Sequence, residues 1–314
     1  MTPEEKIPGF FMVSVPQFLF FGFGAVLCKC MNRSRRIGVH TSIAGGLPMS
    51  LERARELGCN TMQIFSHNPR GWTMKRKGVD EIAAFVKARE KYAISPVYIH
   101  TSYLINLASA NPALAQKSMD MVLQEMDIAD SIGAEYVVLH TGSASGEDAG
   151  NARKRAIACL TSIAKRGEWK AGLLLENTAG ERGDITSRIE EIAEIMEKVP
   201  GKLISGICID TCHAFSAGYD IGKEDGIQLL LDETVRYIGI EKIRLLHLND
   251  AKGTLGGGLD RHEHIGKGAI GISGFKCFLN HHIFSNIPLI LETPKKSPDD
   301  DFKNLETVRK LIAG

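Results

Sequence analysis

Seven apolar, strand-like runs in this chain each end on a side chain that can ligate a metal ion: I-G-V-His40, V-Y-I-His100, V-V-L-His140, L-L-L-Glu176, I-C-I-Asp210, R-L-L-His247 and L-I-L-Glu292. A lone His or Glu at a strand end is more often a satisfied polar residue than a ligand. Seven such ends differ, because carboxylates and imidazoles buried together without a cation leave like charges facing one another. The pairs Asp210/His213 (D-x-x-H) and Asp260/His262 (D-R-H) have spacings that turn both members toward one cavity. His100, His140, Glu176, Asp210, His213, His247, Asp260, His262 and Glu292 make nine candidate donors, whereas one zinc takes about four. Either several ions sit together or many of these residues act from outside the coordination sphere. Mixed imidazole and carboxylate donors suit zinc best, then manganese or iron. Two or three ions about 3.5–4 Å apart polarise a phosphoryl oxygen, generate hydroxide at neutral pH and stabilise a leaving alkoxide, as phosphodiester hydrolysis demands. A sugar isomerase needs fewer ligands.

Such distant residues meet only if the strands share a direction. A closed parallel barrel puts every strand's C-terminal end on one face. The pattern supports that architecture, since strand runs at 37–40, 61–65, 96–100, 136–140, 172–176, 206–210, 243–247 and 288–292 alternate with helical patterns. The helices are expected at 48–57, 80–92, from Asn111-Pro112 to near Gly133, and at 152–165, 185–199, 226–238, 273–280 and 300–312. Asn111 serves as a cap with proline in the first turn, and Gly133 as the stop. The fold expected is therefore α/β, a (β/α)8 TIM barrel in a single domain over residues 36–314. The glycine-rich stretch 253–259 does not follow a strand and open a helix, so it reads as a loop carrying Asp260 and His262 to the site rather than a phosphate loop.

Composition sets the bounds. With 314 residues, 44% of them hydrophobic, the chain can bury a large core. Lys+Arg 38 against Asp+Glu 37 leaves a net charge of +1, which excludes a nucleic-acid binder that works through a global basic field. An anionic partner has to be held locally, and bound cations would supply the charge. The seven cysteines form no C-x-x-C pair and are expected as reduced thiols, in keeping with a cytoplasmic protein. Cys208 and Cys212 flank Asp210, but thiolate is not needed where imidazole and carboxylate are plentiful. Residues 1–35 read differently, as an apolar extension with no charge from Phe10 to Leu27. A membrane anchor, an uncleaved signal-like segment and translated upstream sequence with the natural start at Met31 compete for it. The last is favoured, and the barrel does not need these residues.

The segments C-I-D-T-C-H-A-F-S-A-G-Y-D (208–220), H-T-S-Y-L-I-N-L (100–107), L-E-N-T-A-G (175–180), H-L-N-D-A-K (247–252), D-R-H (260–262) and P-L-I-L-E-T (288–293) resemble the endonuclease IV family of apurinic/apyrimidinic endonucleases. The likeness runs from about Ile37 to the final helix. It implies a zinc-dependent DNA-repair enzyme with three zinc ions. His100, His140 and Glu176 would hold the first, with Glu176 bridging to the second; Asp210, His247 and Glu292 would complete the second, and His213, Asp260 and His262 the third. It also implies hydrolysis of the phosphodiester 5′ to an abasic site in double-stranded DNA, leaving a 3′-hydroxyl and a 5′-deoxyribose phosphate. Glu176 and Glu292 would be the catalytic carboxylates, Glu292 orienting or deprotonating the attacking hydroxide. Arg70, Tyr103 and Leu104 would enter the duplex, as wedges that unstack and kink DNA where an abasic nucleotide has lost its own stacking. Lys75, Arg76 and Lys77 are candidates for phosphate contacts or a plain solvated face. His40 would line the pocket without binding metal, and Pro69 beside Arg70 departs from the family pattern.

Two rivals are weighed against this reading. A metal-dependent sugar isomerase or epimerase on the same barrel would leave Tyr103, Leu104 and the third donor set unexplained. A non-catalytic abasic-DNA binder would follow if a ligand were misplaced. No protein partner is expected, and the chain is expected to act as a monomer.

Overall fold

Eight of the apolar runs pair in parallel in the computed structural model, which describes residues 35–313. Apart from Arg35, the expected extension lies outside the described residues, as do Cys28 and Cys30. In chain order the elements are β1 (Ile37–Thr41), α1 (Leu47–Glu56), β2 (Met62–Phe65), α2 (Val79–Tyr92), β3 (Val97–His100), α3 (Pro112–Ile132), β4 (Tyr136–Leu139), α4 (Ala149–Ala164) and β5 (Gly172–Glu176). There follow α5 (Ile189–Lys198), β6 (Ile204–Asp210), α6 (Thr211–Ser216), α7 (Glu224–Tyr237), β7 (Ile243–His247), β8 (Asp250–Ala251), β9 (His262–Glu263), α8 (Gly271–Asn280), β10 (Leu289–Leu291) and α9 (Asp300–Ala313). The barrel closes in the order β1-β10-β7-β6-β5-β4-β3-β2, while β8 and β9 pair as a separate antiparallel hairpin. This is the TIM barrel expected from the sequence.

Strand alternation explains why the rim is polar and the interior dry. Successive side chains on a strand point to opposite faces, so residues two apart share one. Tyr98, Val138, Leu174, Cys208, Leu245 and Ile290 form one fully buried cluster inside the barrel. Each stands two positions before His100, His140, Glu176, Asp210, His247 or Glu292, so the apolar layer is the floor beneath the polar one. The intervening residues, such as Ile99, Leu139, Leu175, Ile209 and Leu246, face the helices and join the larger core. Gly38 allows close strand packing, since a Cβ there would lie 1.9 Å from the Thr61 carbonyl oxygen.

The helix signals act where the sequence places them. Asn111 accepts from the Ala113 and Leu114 amides at the start of α3, and Gly133 ends it at φ 68°. The helix expected at 185–199 begins only at Ile189, because Ile185 N–H donates to Gly142 O and Thr178 N–H to Thr186 O, tying 185–186 to neighbouring loops. Two elements were not anticipated. Asp210 accepts the His213 amide at 2.9 Å and so starts α6 directly from the end of β6. Residues 250–263 fold out as the β8–β9 hairpin, whose connecting loop is the glycine-rich stretch. No helix among the described residues is long and apolar enough to cross a membrane.

Candidate metal centre

All nine expected donors gather at the C-terminal rim. Six sit at or directly after the ends of β3, β4, β5, β6, β7 and β10; His213 lies on α6, and Asp260 and His262 come from the hairpin. Glu176 is completely buried at the centre. Its Oε2 lies 3.1 Å from His100 Nε2 and 3.0 Å from His140 Nε2, and its Oε1 lies 2.9 Å from His247 Nδ1 and 3.4 Å from His213 Nδ1. Glu176, Asp210, His247 and Glu292 offer donor atoms within 4.8 Å of one another, as does the triad Asp210, His213 and His262. Asp260 Oδ1 stands 3.2 Å from His213 Nε2 and 3.5 Å from His262 Nε2. A cavity of about 520 Å³ opens over this cluster, walled by Phe65, Tyr103, Arg261 and Lys295 among others.

Hydrogen bonds at the back of the imidazoles decide which nitrogen faces inward. His100 Nδ1–H donates to Thr101 O (2.9 Å), His213 Nδ1–H to Asn177 O (2.9 Å) and His262 Nδ1–H to Glu292 O (3.1 Å), leaving each Nε2 toward the cluster. His247 is turned the other way: Nε2–H donates to Gln63 Oε1 at 2.8 Å, and Nδ1 faces Glu176. An imidazole fixed through its outer N–H presents its inner lone pair, the usual arrangement of a metal-binding histidine. The carboxylates are held similarly. Asp210 Oδ2 accepts from Asn249 Nδ2 at 2.6 Å, and Asn249 Oδ1 accepts the Glu292 amide at 2.9 Å.

Burial and mutual pairing set the charge balance of the cluster. Burial alone would raise the Glu176 and Glu292 carboxyls, yet the imidazoles around them, His247 foremost, hold both well below the ordinary carboxylate range. Burial disfavours charge on His100, but Glu176 outweighs it and lifts the imidazole to about 9. His213 and His247 are likewise raised by their carboxylate neighbours against the effect of burial. Protons on the imidazoles thus neutralise the acids where a cation could do so instead. The fit to a metal is supported by buried nitrogens without hydrogen-bond partners. His140, His213 and His262 Nε2 are all so placed, although His140 Nε2 and His213 Nε2 lie 3.0 and 3.2 Å from carboxylate oxygens. Each belongs to a group of donor atoms close enough to share one ion, His140 with Glu176 and His213, and His262 with Asp210 and His213.

Several sequence expectations concern the surroundings. His40 is almost enclosed, with Nδ1 accepting from Gln63 Nε2 at 3.0 Å and lying 3.4 Å from Glu292. The five described cysteines are free. Burial pushes the Cys208 thiol well up and Cys212 up to about 12, the wrong direction for thiolate ligands. Arg70 is exposed at the tip of the loop after β2. There Pro69 occupies the second position of a turn closed by Gly71 N–H to Asn68 O (3.0 Å), which proline's fixed φ favours, so it accommodates the loop. Tyr103 is 67% exposed, its ring edge-on to Phe65 at 5.1 Å, and Leu104 is half-buried beside it. Tyr103 is therefore a surface residue and not part of the core. Lys75 and Arg76 are exposed and Lys77 half-buried.

Gln63 was missed by sequence reading. It is fully buried on β2, donates to Glu292 Oε1 and His40, and accepts from His247. Its strand ends on Phe65, which has no ligating atom, so no terminal donor marks it. The available signal was a glutamine inside the apolar run T-M-Q-I-F, two residues before the rim.

Comparison with known proteins agrees with this geometry. A family model described as xylose isomerase-like TIM barrel matches residues 51–312. A "probable endonuclease 4" from Persephonella marina is 40% identical over 278 residues, covering 88% of this chain and 97% of that protein. The crystal structure of endonuclease IV from Thermus thermophilus superposes with a TM-score of 0.78 at 35% identity, covering 88% of this chain and 99% of that one. A D-tagatose 3-epimerase-like protein, at 20% identity and a TM-score of 0.67, shares the fold alone. On the extent of these matches, the chain belongs to the endonuclease IV family of xylose isomerase-like TIM barrels.

Proposed function

We propose that this chain is a zinc-dependent DNA-repair endonuclease that hydrolyses the phosphodiester 5′ to abasic sites in duplex DNA, residues 36–314 being its catalytic domain. The observation that carries the reading is the convergence of eight donors in overlapping groups on one rim, with Asp260 beside His213 and His262, next to loops that expose Arg70 and Tyr103. His100, His140 and Glu176 would hold a first zinc, Glu176, Asp210, His247 and Glu292 a second, and His213, Asp260 and His262 a third. The four-residue group of the second set occurs intact as one cluster. Bound ions at such a site supply Lewis-acid stabilisation of phosphoryl charge and a nucleophile at neutral pH.

The chain's own residues do the rest. Glu292, kept ionised by the imidazoles and anchored through Gln63, orients the attacking water and can accept its proton. Water adds to phosphorus as the bond to the upstream 3′ oxygen breaks, leaving a 3′-hydroxyl and a 5′-deoxyribose phosphate. Tyr103 and Leu104 from one loop and Arg70 from the next enter the helix at the lesion, where the missing base lowers the cost of unstacking. The chain is proposed to act as a monomer. The reduced cysteines suit a cytoplasmic setting.

The sugar-epimerase alternative calls for a small closed pocket, and the large exposed Tyr103 at the mouth argues against it. The decisive experiment incubates zinc-loaded protein with a duplex bearing one stable abasic analogue, with metal content measured on the same preparation. Incision on the 5′ side is expected. Intact duplex would exclude the nuclease, and intact duplex with retained binding would favour the non-catalytic binder.

A further inference from the structure

Glu125, outside the donor cluster, is an acidic side chain with no solvent exposure on the inner face of α3. A carboxyl so placed is costly unless something compensates. Its Oε1 accepts the Ser102 backbone N–H at 3.1 Å and lies 3.5 Å from His67 Nδ1, while Oε2 has no hydrogen-bond partner. Ser102 passes the connection on. Its hydroxyl donates to Pro69 O at 2.8 Å and accepts the Leu104 amide at 3.2 Å. His67 and Pro69 belong to the loop that carries Arg70, and Ser102 directly precedes Tyr103 and Leu104. One buried carboxyl therefore joins the two loops from below, and the Phe65–Tyr103 ring contact joins them a second time. An apolar residue would fill this helix position at lower cost, so packing alone does not account for an acid there.

We infer that Glu125 is a positioning residue for DNA: through Ser102 and His67 it fixes the Arg70 loop against the Tyr103–Leu104 loop, so that both reach the duplex in register. The inference rests on the proposed reading that these loops contact abasic DNA. It predicts that breaking the link loosens substrate engagement without touching the metal donors or the chemical step.

The test uses zinc-loaded full chain and steady-state incision of the abasic-analogue duplex. Glu125→Leu should raise KM about tenfold, the scale of one lost buried hydrogen bond, with kcat within about twofold. Zinc content should stay unchanged. Glu125→Gln keeps an oxygen for the Ser102 amide and should restore KM to near the parent value. Ser102→Ala, which cuts the link to Pro69 while leaving α3 intact, should raise KM severalfold and serves if Glu125→Leu does not fold. Glu125→Leu combined with Tyr103→Ala should raise KM by less than the product of the two single effects, because they act partly through one contact. An unchanged KM in folded Glu125→Leu or in Ser102→Ala overturns the inference, as does a fall in kcat accompanied by zinc loss, which would mark a structural role. If Tyr103→Ala itself leaves KM unchanged, the loops do not engage DNA and the inference falls with that reading; if it raises KM while the other variants do not, only the inference fails.

Discussion

Glu176 is the residue whose loss reaches furthest, because four imidazoles face its two oxygens and it belongs to three of the four donor groups found among the described residues. Glu176→Gln keeps the volume but removes the charge, and should lower bound zinc and reduce incision by about 100-fold or more, above the effect of losing a supporting hydrogen bond. Elemental analysis and an incision assay on one preparation check this. Full activity in that variant would refute the bridging assignment. Gln63 acts more gently. Without its oxygen, His247 loses the partner that keeps its proton on Nε2, so Gln63→Ala should weaken zinc binding by about 10- to 100-fold. Chelator competition reads this directly, and an unaltered affinity would refute it. The contrast between these residues shows what the sequence could disclose. Glu176 announces itself by ending a strand with a donor, whereas Gln63 makes its contacts two residues before a strand end that carries only phenylalanine.

Elements were legible in proportion to the length of their repeat. The barrel strands and α3 carry enough alternation or capping chemistry to be read directly. The two-residue strands of the hairpin are too short to show a period, and α6 starts on a residue that is also a strand end, so a linear reading merges the two. Residues 185–186 look helical but spend their backbone groups on adjacent loops. Within α3, Glu125 yields a prediction of pH dependence. Burial raises its carboxyl to about 8, so the folded state retains a proton that the unfolded chain releases near 4.5. Its contribution to stability is complete below pH ~4.5 and is lost as pH rises through about 8. His67, lowered by burial, acts in the opposite sense at the acid end. Comparing thermal midpoints of parent and Glu125→Gln from pH 5 to 9 isolates the carboxyl: the parent should lose stability relative to the variant as pH rises. Parallel curves would contradict the raised value.

For the whole molecule, the centre joins strands from most of the barrel's circumference, so a ligand there should report on the fold. Anything that binds only the native state stabilises it by mass action. Removing zinc with a chelator should lower Tm on the order of 5–10 °C, and adding zinc back should restore it. Differential scanning calorimetry with and without chelator tests this, and no shift would mean that the cluster does not hold metal in the native state.

The β8–β9 excursion gives the rim a modular character. Six donors stand at the ends of barrel strands, but Asp260 and His262 arrive on an antiparallel finger that lies outside the barrel sheet and leans on α6 through Gly256 N–H to Phe215 O and Gly258 N–H to Ser216 O. Trimming that finger to a short turn would leave the barrel's own ring of ligands standing. A designer could therefore dismantle one corner of the centre without rebuilding the cylinder underneath.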